Sequence, residues 1–187
     1  MIREACVNDA PEIAKLIILA MDDLAAKFVG ADDPYDAVPL FEKFAALPAN
    51  QYSYENILVY EDQGMVYGMI SAYDGAQLDS LRAPFLAYLE TAYGFKHNPE
   101  DETQPGEYYI DCVSVSPDKQ GKGIGKELIK AMIAHAVRNQ QNTLGLLVNQ
   151  ENPQARKLYE NLGFVIAEKK DFMGGKYFHM QYKVGSK

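Results

Sequence analysis

The sequence has no apolar run that approaches the ~20 residues a membrane-spanning helix needs. Residues 1–5 show no basic segment followed by an apolar one, so they do not resemble a secretory signal. Cysteine is scarce, because Cys6 and Cys112 are the only two among 187 residues, and they form no disulfide or metal-binding pattern. From these absences we expect a cytoplasmic protein with no membrane partner.

Basic residues are fewer than acidic ones. Lys and Arg number 18 against 26 Asp and Glu, which gives a formal net charge of -8. A nucleic-acid-binding domain normally carries a basic face, so we expect no nucleic acid partner. His97, His135 and His179 lack the spacing of metal ligands, and we assign no metal. The acidic excess favours a cationic partner, although acidity also serves solubility.

What the sequence does contain is an alternation of strand and helix patterns over a length suited to one domain. The patterns predict strands at 2–5, 57–60, 65–73, 108–116, 143–148, 164–168 and 177–182. They predict helices at 9–26, 38–47, 77–93, 124–136 and 152–161. The helix at 77–93 and the polar stretch at 96–106 look like an insertion, at about 75–106, between two strands. The order predicts a mixed α/β fold.

Residues 120–125 read Gln-Gly-Lys-Gly-Ile-Gly and open a predicted helix directly after a strand. Glycine lets the backbone approach a ligand closely, and the free N–H groups of a helix start favour phosphate. Positive charge concentrates around this loop at Lys119, Lys122, Lys126 and Lys130. Coenzyme A carries a pyrophosphate and a 3′-phosphate, and would suit such a patch. A glycine-rich turn with solvated lysines is the alternative.

Two other phosphate-binding loops do not fit this segment. A dinucleotide-binding loop needs its third glycine where Lys126 stands. A triphosphate-binding loop needs wider glycine spacing and a Ser or Thr after the lysine, but Glu127 follows Lys126.

A second block, residues 152–164, reads Asn-Pro-Gln-Ala-Arg-Lys-Leu-Tyr-Glu-Asn-Leu-Gly-Phe. Together with Gln120, Gly123 and Gly125, this block resembles the GNAT superfamily of acyl-CoA N-acyltransferases, most closely over about 108–165. The resemblance implies a GNAT-like mixed, mostly antiparallel central sheet flanked by helices, with splayed strands at the acyl-CoA site. It also implies that residues 1–187 form a single N-acetyltransferase domain that uses acetyl-CoA as co-substrate.

The resemblance further implies that the strand at 111–116 splays from the strand at 143–148, and that the pantetheine arm pairs with backbone in the gap. Backbone groups at 113–115 would orient the thioester, and Asn152 would bond the arm or the phosphate region. The residues implicated in cofactor binding are Val113, Ser114, Val115, Gln120, Gly121, Lys122, Gly123, Ile124, Gly125, Lys126, Asn152 and Ala155.

Tyr159 matches the family's usual general acid, which protonates or hydrogen-bonds the departing thiolate; packing within its helix is the alternative. For the base that deprotonates the amine, the candidates are Asp111, which we favour, and Glu107. Strand alternation predicts that both share one face with Tyr109, Val113 and Val115, and that Cys112 faces the other way. We expect Cys112 to be a buried, inert thiol; a covalent acyl-cysteine route is the alternative. A structural, hydrogen-bonding carboxylate remains the alternative for Asp111.

These residues predict an N-acetyltransferase that transfers an acetyl group to a primary amine of a small molecule or protein, by direct attack in a ternary complex. A non-catalytic acyl-CoA-binding sensor or interaction module is the alternative. Acidic residues of the insertion favour a cationic acceptor, with tyrosines as an aromatic wall. The family resemblance also allows for a homodimer. The pattern does not identify the acceptor or the length of the acyl group.

Overall fold

The structure, a computed structural model, describes residues 1–185 as seven strands and six α-helices joined by turns. The strands are β1 (Ile2–Glu4), β2 (Ile57–Asp62), β3 (Met65–Asp74), β4 (Tyr108–Val115), β5 (Thr143–Asn149), β6 (Val165–Phe172) and β7 (Gly175–Lys183). The helices are α1 (Ala10–Met21), α2 (Asp23–Val29), α3 (Val38–Ala45), α4 (Leu78–Tyr93), α5 (Ile124–Arg138) and α6 (Pro153–Asn161).

The strands form one sheet in the order β1-β2-β3-β4-β5-β7-β6. Every neighbouring pair is antiparallel except β4 and β5, which are parallel. Helices cover both faces: one core joins α1 to α4 with Met69 and Cys112 of the sheet, and the other joins α5 with Ile70, Ile110 and Leu146. This confirms the predicted mixed, mostly antiparallel sheet flanked by helices.

The single helix predicted at 9–26 is wrong, because the chain forms two helices that meet at Asp22. Asp22 has φ 47° and ψ -127°, far from helical values, and it caps both α1 and α2. The second helix, α2, continues to Val29, three residues beyond the predicted end, and Gly30 ends it in the left-handed conformation. Apolar spacing continues through the break, so periodicity alone could not reveal it.

A β-bulge at Asp111 corrects the predicted strand alternation. Ser71 pairs with Cys112 while the next residue, Ala72, pairs with Ile110, so Asp111 is the extra residue in β4. Beyond this residue, the side chains of β4 alternate between the two faces of the sheet in the opposite phase. Tyr109 packs on the side of α4, whereas Val113 and Val115 pack in the core beneath α5. Glu107, Tyr109, Asp111, Val113 and Val115 therefore do not share one face.

A partly buried ion pair links the start of the chain to the residue that precedes the first helix, and it gives a stability prediction. Arg3 donates to both carboxylate oxygens of Asp9 at 2.7 and 2.9 Å. These hydrogen bonds lower the pKa of Asp9 to about 2. We expect Asp9→Asn to lower the free energy of unfolding by about 2 kcal/mol at pH 7.

The lowered pKa also determines how this stability contribution changes with pH. The contribution of Asp9 is fully present above its ordinary pKa of 3.8 and disappears as the pH falls through about 2. Urea unfolding of both proteins at pH 7 and near pH 2 measures this, and a difference that persists at the lower pH would contradict it. Glu12→Gln, which removes an exposed pair with Lys15, is the control, with an expected cost below about 1 kcal/mol.

Candidate active site

The two parallel strands at the centre of the sheet diverge. β4 pairs with β3 along its whole length, from Tyr108 to Val115, but with β5 only from Tyr108 to Ile110. β5 continues beside β7 as far as Asn149. Beyond Ile110, the facing edges of β4 and β5 are therefore no longer paired with each other. This gap is the predicted splay, and it offers main-chain N–H and C=O groups to a ligand.

The glycine loop lies at the end of β4 and starts α5. Gly121 and Gly123 adopt φ values of 76° and 82°, the left-handed region that favours glycine, and Gly123 caps the helix. Gln120 holds the loop against the strand, since its Nε2 donates to the Val115 carbonyl at 2.9 Å. At Gly125, a Cβ atom would meet only Val115 Cγ2, at 3.8 Å. Packing within the protein therefore does not require glycine at 125.

A cavity of about 540 Å³ lies over this loop. Ten of the twelve residues predicted to bind the cofactor line it: Val113, Val115, Gln120, Gly121, Gly123, Ile124, Gly125, Lys126, Asn152 and Ala155. The structure does not bring the other two to this cavity. Ser114 is buried in the sheet opposite Met69, and the Lys122 ammonium donates to the Asp118 carbonyl at 3.3 Å.

A second cavity, of about 590 Å³, occupies the gap between β4 and β5. It shares Val113, Asn152, Ala155 and Tyr159 with the loop cavity, so the two cavities adjoin. Asp111 and Cys112 both line it, which corrects the prediction that they face opposite sides. Its outer wall is the break between α1 and α2, at Met21 and Asp22.

Tyr159 lies where these cavities meet. It projects from α6, half-buried, with its ring packed edge-on against Phe164 at 5.7 Å between centroids. Burial raises the pKa of its phenol above the ordinary value. The phenol is therefore neutral at physiological pH and can donate a hydrogen bond into the cavity.

Asp111 carries the one carboxylate of β4 that faces the gap. Its Oδ1 lies 3.5 Å from Gln51 Nε2, while its Oδ2 is buried and has no hydrogen-bond partner among residues 1–185. Burial, and then the charge of Glu102, raise the pKa of Asp111 well above its ordinary value. A carboxylate of raised proton affinity, with a free oxygen at a cavity, is suited to accept a proton.

Residues 20–164 match the sequence model described as the acetyltransferase (GNAT) family. The chain belongs to this family. A solved structure described as that of an acetyltransferase is 31% identical, with 98% of this chain and 99% of that chain covered and a TM-score of 0.83. An N-acetyltransferase from Staphylococcus aureus Mu50 is 26% identical, with 97% and 100% covered and a TM-score of 0.82.

A curated GNAT relative, the spermine/spermidine N(1)-acetyltransferase of Bacillus subtilis, is 29% identical over 85 residues, 45% of this chain and 56% of that enzyme. The chain spans about half or less of the length of the curated relatives it matches. GNAT proteins are acyl-CoA-dependent N-acetyltransferases, and acetyl-CoA is the co-substrate of the family. Among residues 1–185, no helix is long and apolar enough to cross a membrane.

Glu107, the second candidate base, lines neither the cavity over the glycine loop nor the cavity between β4 and β5. Its carboxylate accepts from Thr103 at 2.8 Å and from Gln181 at 2.9 Å, and contacts His179 Nε2 at 2.7 Å. Burial opposes its ionisation, but the hydrogen bonds from these partners lower its pKa overall. It packs on Gly145, where a Cβ would overlap the carboxyl group. This arrangement is that of a structural carboxylate linking β4 to β7.

Sequence reasoning missed Gln51, which lies in the turn between α3 and β2. Its Nε2 donates to Glu102 at 2.7 Å and lies 3.5 Å from Asp111. Tyr73, which also donates to Glu102 at 2.8 Å, was named only as part of an aromatic wall. Gln51 and Glu102 are 51 residues apart, and neither lies in a motif, so no local signal pairs them.

Proposed function

We propose that this chain transfers the acetyl group of acetyl-CoA to a primary amine of a small molecule or protein, by direct attack in a ternary complex. The observation that carries the proposal is the pair of adjoining cavities that extends from the glycine loop into the gap between β4 and β5, as far as Asp111. Such an arrangement lets a thioester and an amine meet inside the sheet. We further infer that residues 1–187 form one N-acetyltransferase domain, with the insertion at about 75–106.

In the proposed complex the glycine loop holds the diphosphate through its main-chain N–H groups, aided by the dipole of α5 and by Lys126. The open edge of β4 holds the pantetheine arm. A main-chain N–H near Val113 stabilises the negative charge that develops on the thioester oxygen. Gln120 donates to the Val115 carbonyl and so fixes the position of the glycine loop relative to the end of β4.

Asp111 acts as the base. An amine of pKa ~10.4 is mostly protonated at pH 7, and forming its neutral state costs roughly 4–5 kcal/mol. Asp111 Oδ2 has no protein partner, so it is available to accept that proton directly or through water. The amine nitrogen then bonds to the acetyl carbon as the carbon–sulfur bond breaks.

Tyr159 stabilises the departing thiolate by donating a hydrogen bond. Its raised pKa makes complete proton transfer to sulfur costly, so hydrogen bonding is its main contribution. Cys112 is a poor nucleophile, since burial raises the pKa of its thiol. This favours direct attack over a covalent acyl-cysteine route.

A panel of amines, with mass detection of the product and measurement of thiol release, tests the proposal. Stoichiometric formation of acetylated amine and free thiol is the expected result. Acetyl-CoA binding without thiol release for any amine would contradict it and would support a non-catalytic acyl-CoA sensor.

We expect Tyr159→Phe to lower kcat by about 10–100-fold, the effect of losing a hydrogen bond to a charged group, roughly 1.5–3 kcal/mol. The KM for acetyl-CoA should change less than threefold, because the ring still packs on Phe164. Steady-state kinetics and calorimetric binding measure the two effects separately. Equal losses of turnover and of acetyl-CoA affinity would exclude the proposed role, and Tyr182→Phe, which keeps a ring packed on Phe164, is the control.

A further inference from the structure

A third cavity, of about 190 Å³, is lined by Asp111 and shares no lining residue with the cavity over the glycine loop. It shares Asp111, Met21 and Tyr177 with the cavity in the gap, so a molecule inside it would reach the same carboxylate. Aromatic side chains dominate its wall, including Phe28, Tyr52 and Phe172. Such rings favour an apolar stem and can also stabilise a cation.

Two carboxylates face this cavity, those of Glu102 and Asp111. Glu102 is brought there by the insertion and is fixed by hydrogen bonds from Gln51 and Tyr73 at 2.7 and 2.8 Å. Asp111 Oδ2 stays buried without a hydrogen-bond partner among residues 1–185. The site therefore holds two acidic groups in place while leaving one oxygen for a donor that these residues do not supply.

The cavity has no matching positive charge. Among residues 1–185, none of those that line it is Lys, Arg or His. Arg82 lines a neighbouring cavity rather than this one, and it is ion-paired with Asp79 and Asp101 at 2.9 and 2.6 Å. A carboxylate entering this cavity would meet two acidic side chains and no lining cation, which is unfavourable. An ammonium group would instead be attracted by these two acidic side chains.

We propose that this cavity selects primary amines that carry no carboxylate next to the amine and have a slender apolar stem. Glu102 is a specificity-determining residue that holds the incoming ammonium beside Asp111. This inference rests on the proposed acetyl transfer and adds the class of acceptor. It favours amines over amino acids, two classes that the glycine loop and Tyr159 cannot distinguish.

Matched pairs that differ only by the carboxylate test the selectivity. We would measure kcat/KM for agmatine and arginine, 3-methylbutylamine and leucine, and tyramine and tyrosine. The pairs cover a cationic, an aliphatic and an aromatic stem. For each pair that is acetylated, the amine should exceed the amino acid by about 100-fold or more. Equal or higher kcat/KM for the amino acids would overturn the inference.

Glu102→Gln tests the role assigned to that residue. The ratio of kcat/KM between amine and amino acid should fall at least about tenfold, mainly because KM for the amine rises. A ratio measured within one variant is insensitive to the fraction of protein that is folded. Glu100→Gln makes the same chemical change at an exposed residue of the same segment that lines none of the three cavities, and it should leave the ratio unchanged. An unchanged ratio in Glu102→Gln would overturn the role of Glu102.

Failure of this inference can be distinguished from failure of the proposed function. Acetylation of amino acids alone would leave acetyl transfer intact and overturn the selectivity. Acetyl-CoA binding with no transfer to either class would overturn both.

Discussion

Replacing Asp111 with Asn should lower kcat/KM for the preferred amine by about 10²–10⁴-fold, the usual contribution of a positioned base. Asn has nearly the same shape and can still accept the weak contact from Gln51, so the cavity should persist. What is lost is the oxygen that takes the proton. Steady-state kinetics measure the loss, and acetyl-CoA affinity should change little, because Asp111 does not line the glycine-loop cavity.

The pH dependence gives this variant a specific signature. The pKa of Asp111 is raised, so the acidic limb of kcat/KM should lie above the range of an ordinary aspartate. Activity falls as the pH drops through that raised value, because the base becomes protonated. In Asp111→Asn this limb should disappear from the residual activity. An unchanged limb in the variant would exclude Asp111 as the base.

The same variant should be more stable than the parent protein. The unfolded carboxyl loses its proton at its ordinary pKa of 3.8, but the folded one does so at a higher pH, so stability falls across that window as the pH rises. Asn removes this cost, and a gain of about 1 kcal/mol or more corresponds to a rise in Tm of roughly 2–4 °C.

Glu107→Gln is the matched control, because the pKa of that carboxyl is shifted in the opposite direction. Its lowered pKa stabilises the fold above the ordinary value of 4.5, and this contribution is lost as the pH falls through the folded pKa. Glu107→Gln should therefore lower Tm at pH 7. It should keep the acidic limb of the activity profile, since Glu107 lines none of the three cavities. Thermal unfolding and kinetics on both variants separate catalytic from structural carboxylates.

Replacing Gly125 with Glu should raise the Kd for acetyl-CoA by about 100-fold or more, through steric block and like-charge repulsion with the diphosphate. The thermal stability of the fold should not decrease. A side chain at 125 meets only Val115 at 3.8 Å, and an acidic residue in the first turn of α5 is stabilising by about 0.3–1 kcal/mol. The expected result is thus opposite in sign for the two measurements: affinity falls while Tm holds or rises.

Gly125→Ala is the control for Gly125→Glu. Its methyl group adds little bulk and no charge, so the loss of affinity should be about tenfold or less, with Tm again unchanged or higher. Isothermal titration calorimetry and thermal unfolding measure both quantities. Acetyl-CoA binding to Gly125→Glu with the parent affinity would contradict the assignment of residues 120–126 as the diphosphate site.

The elements that sequence reasoning predicted well are those with local signals. The glycine loop, α5 and α6 have conformational requirements or apolar spacing within a few residues, and their positions agree with the prediction. The hairpin turns at Gly64 and Gly174 have positive φ values of 79° and 81°, which glycine supplies. The family resemblance rests on the same local segments.

The features that were missed depend on distant parts of the chain. Asp22 interrupts a continuous apolar stripe, and Asp111 is displaced by a bulge that depends on the register of β3 against β4. Neither feature changes the periodicity of apolar residues in the sequence. Gln51 and Glu102 meet only because the turn after α3 and the insertion pack at one cavity. Glu107 and Asp111, four residues apart, have opposite pKa shifts. Burial and then the charge of Glu102 raise the pKa of Asp111, whereas hydrogen-bond donors outweigh burial at Glu107.

By itself, the sequence determined most of the order of strands and helices, the position of the glycine loop and the family, because backbone conformation and side-chain spacing are local properties. Only the tertiary structure decided which carboxylate faces the gap between β4 and β5, and which acidic and aromatic side chains surround it. The physical reason is that burial, hydrogen-bond partners and charge neighbours come from segments far apart in the chain, and these set the proton affinity of each group.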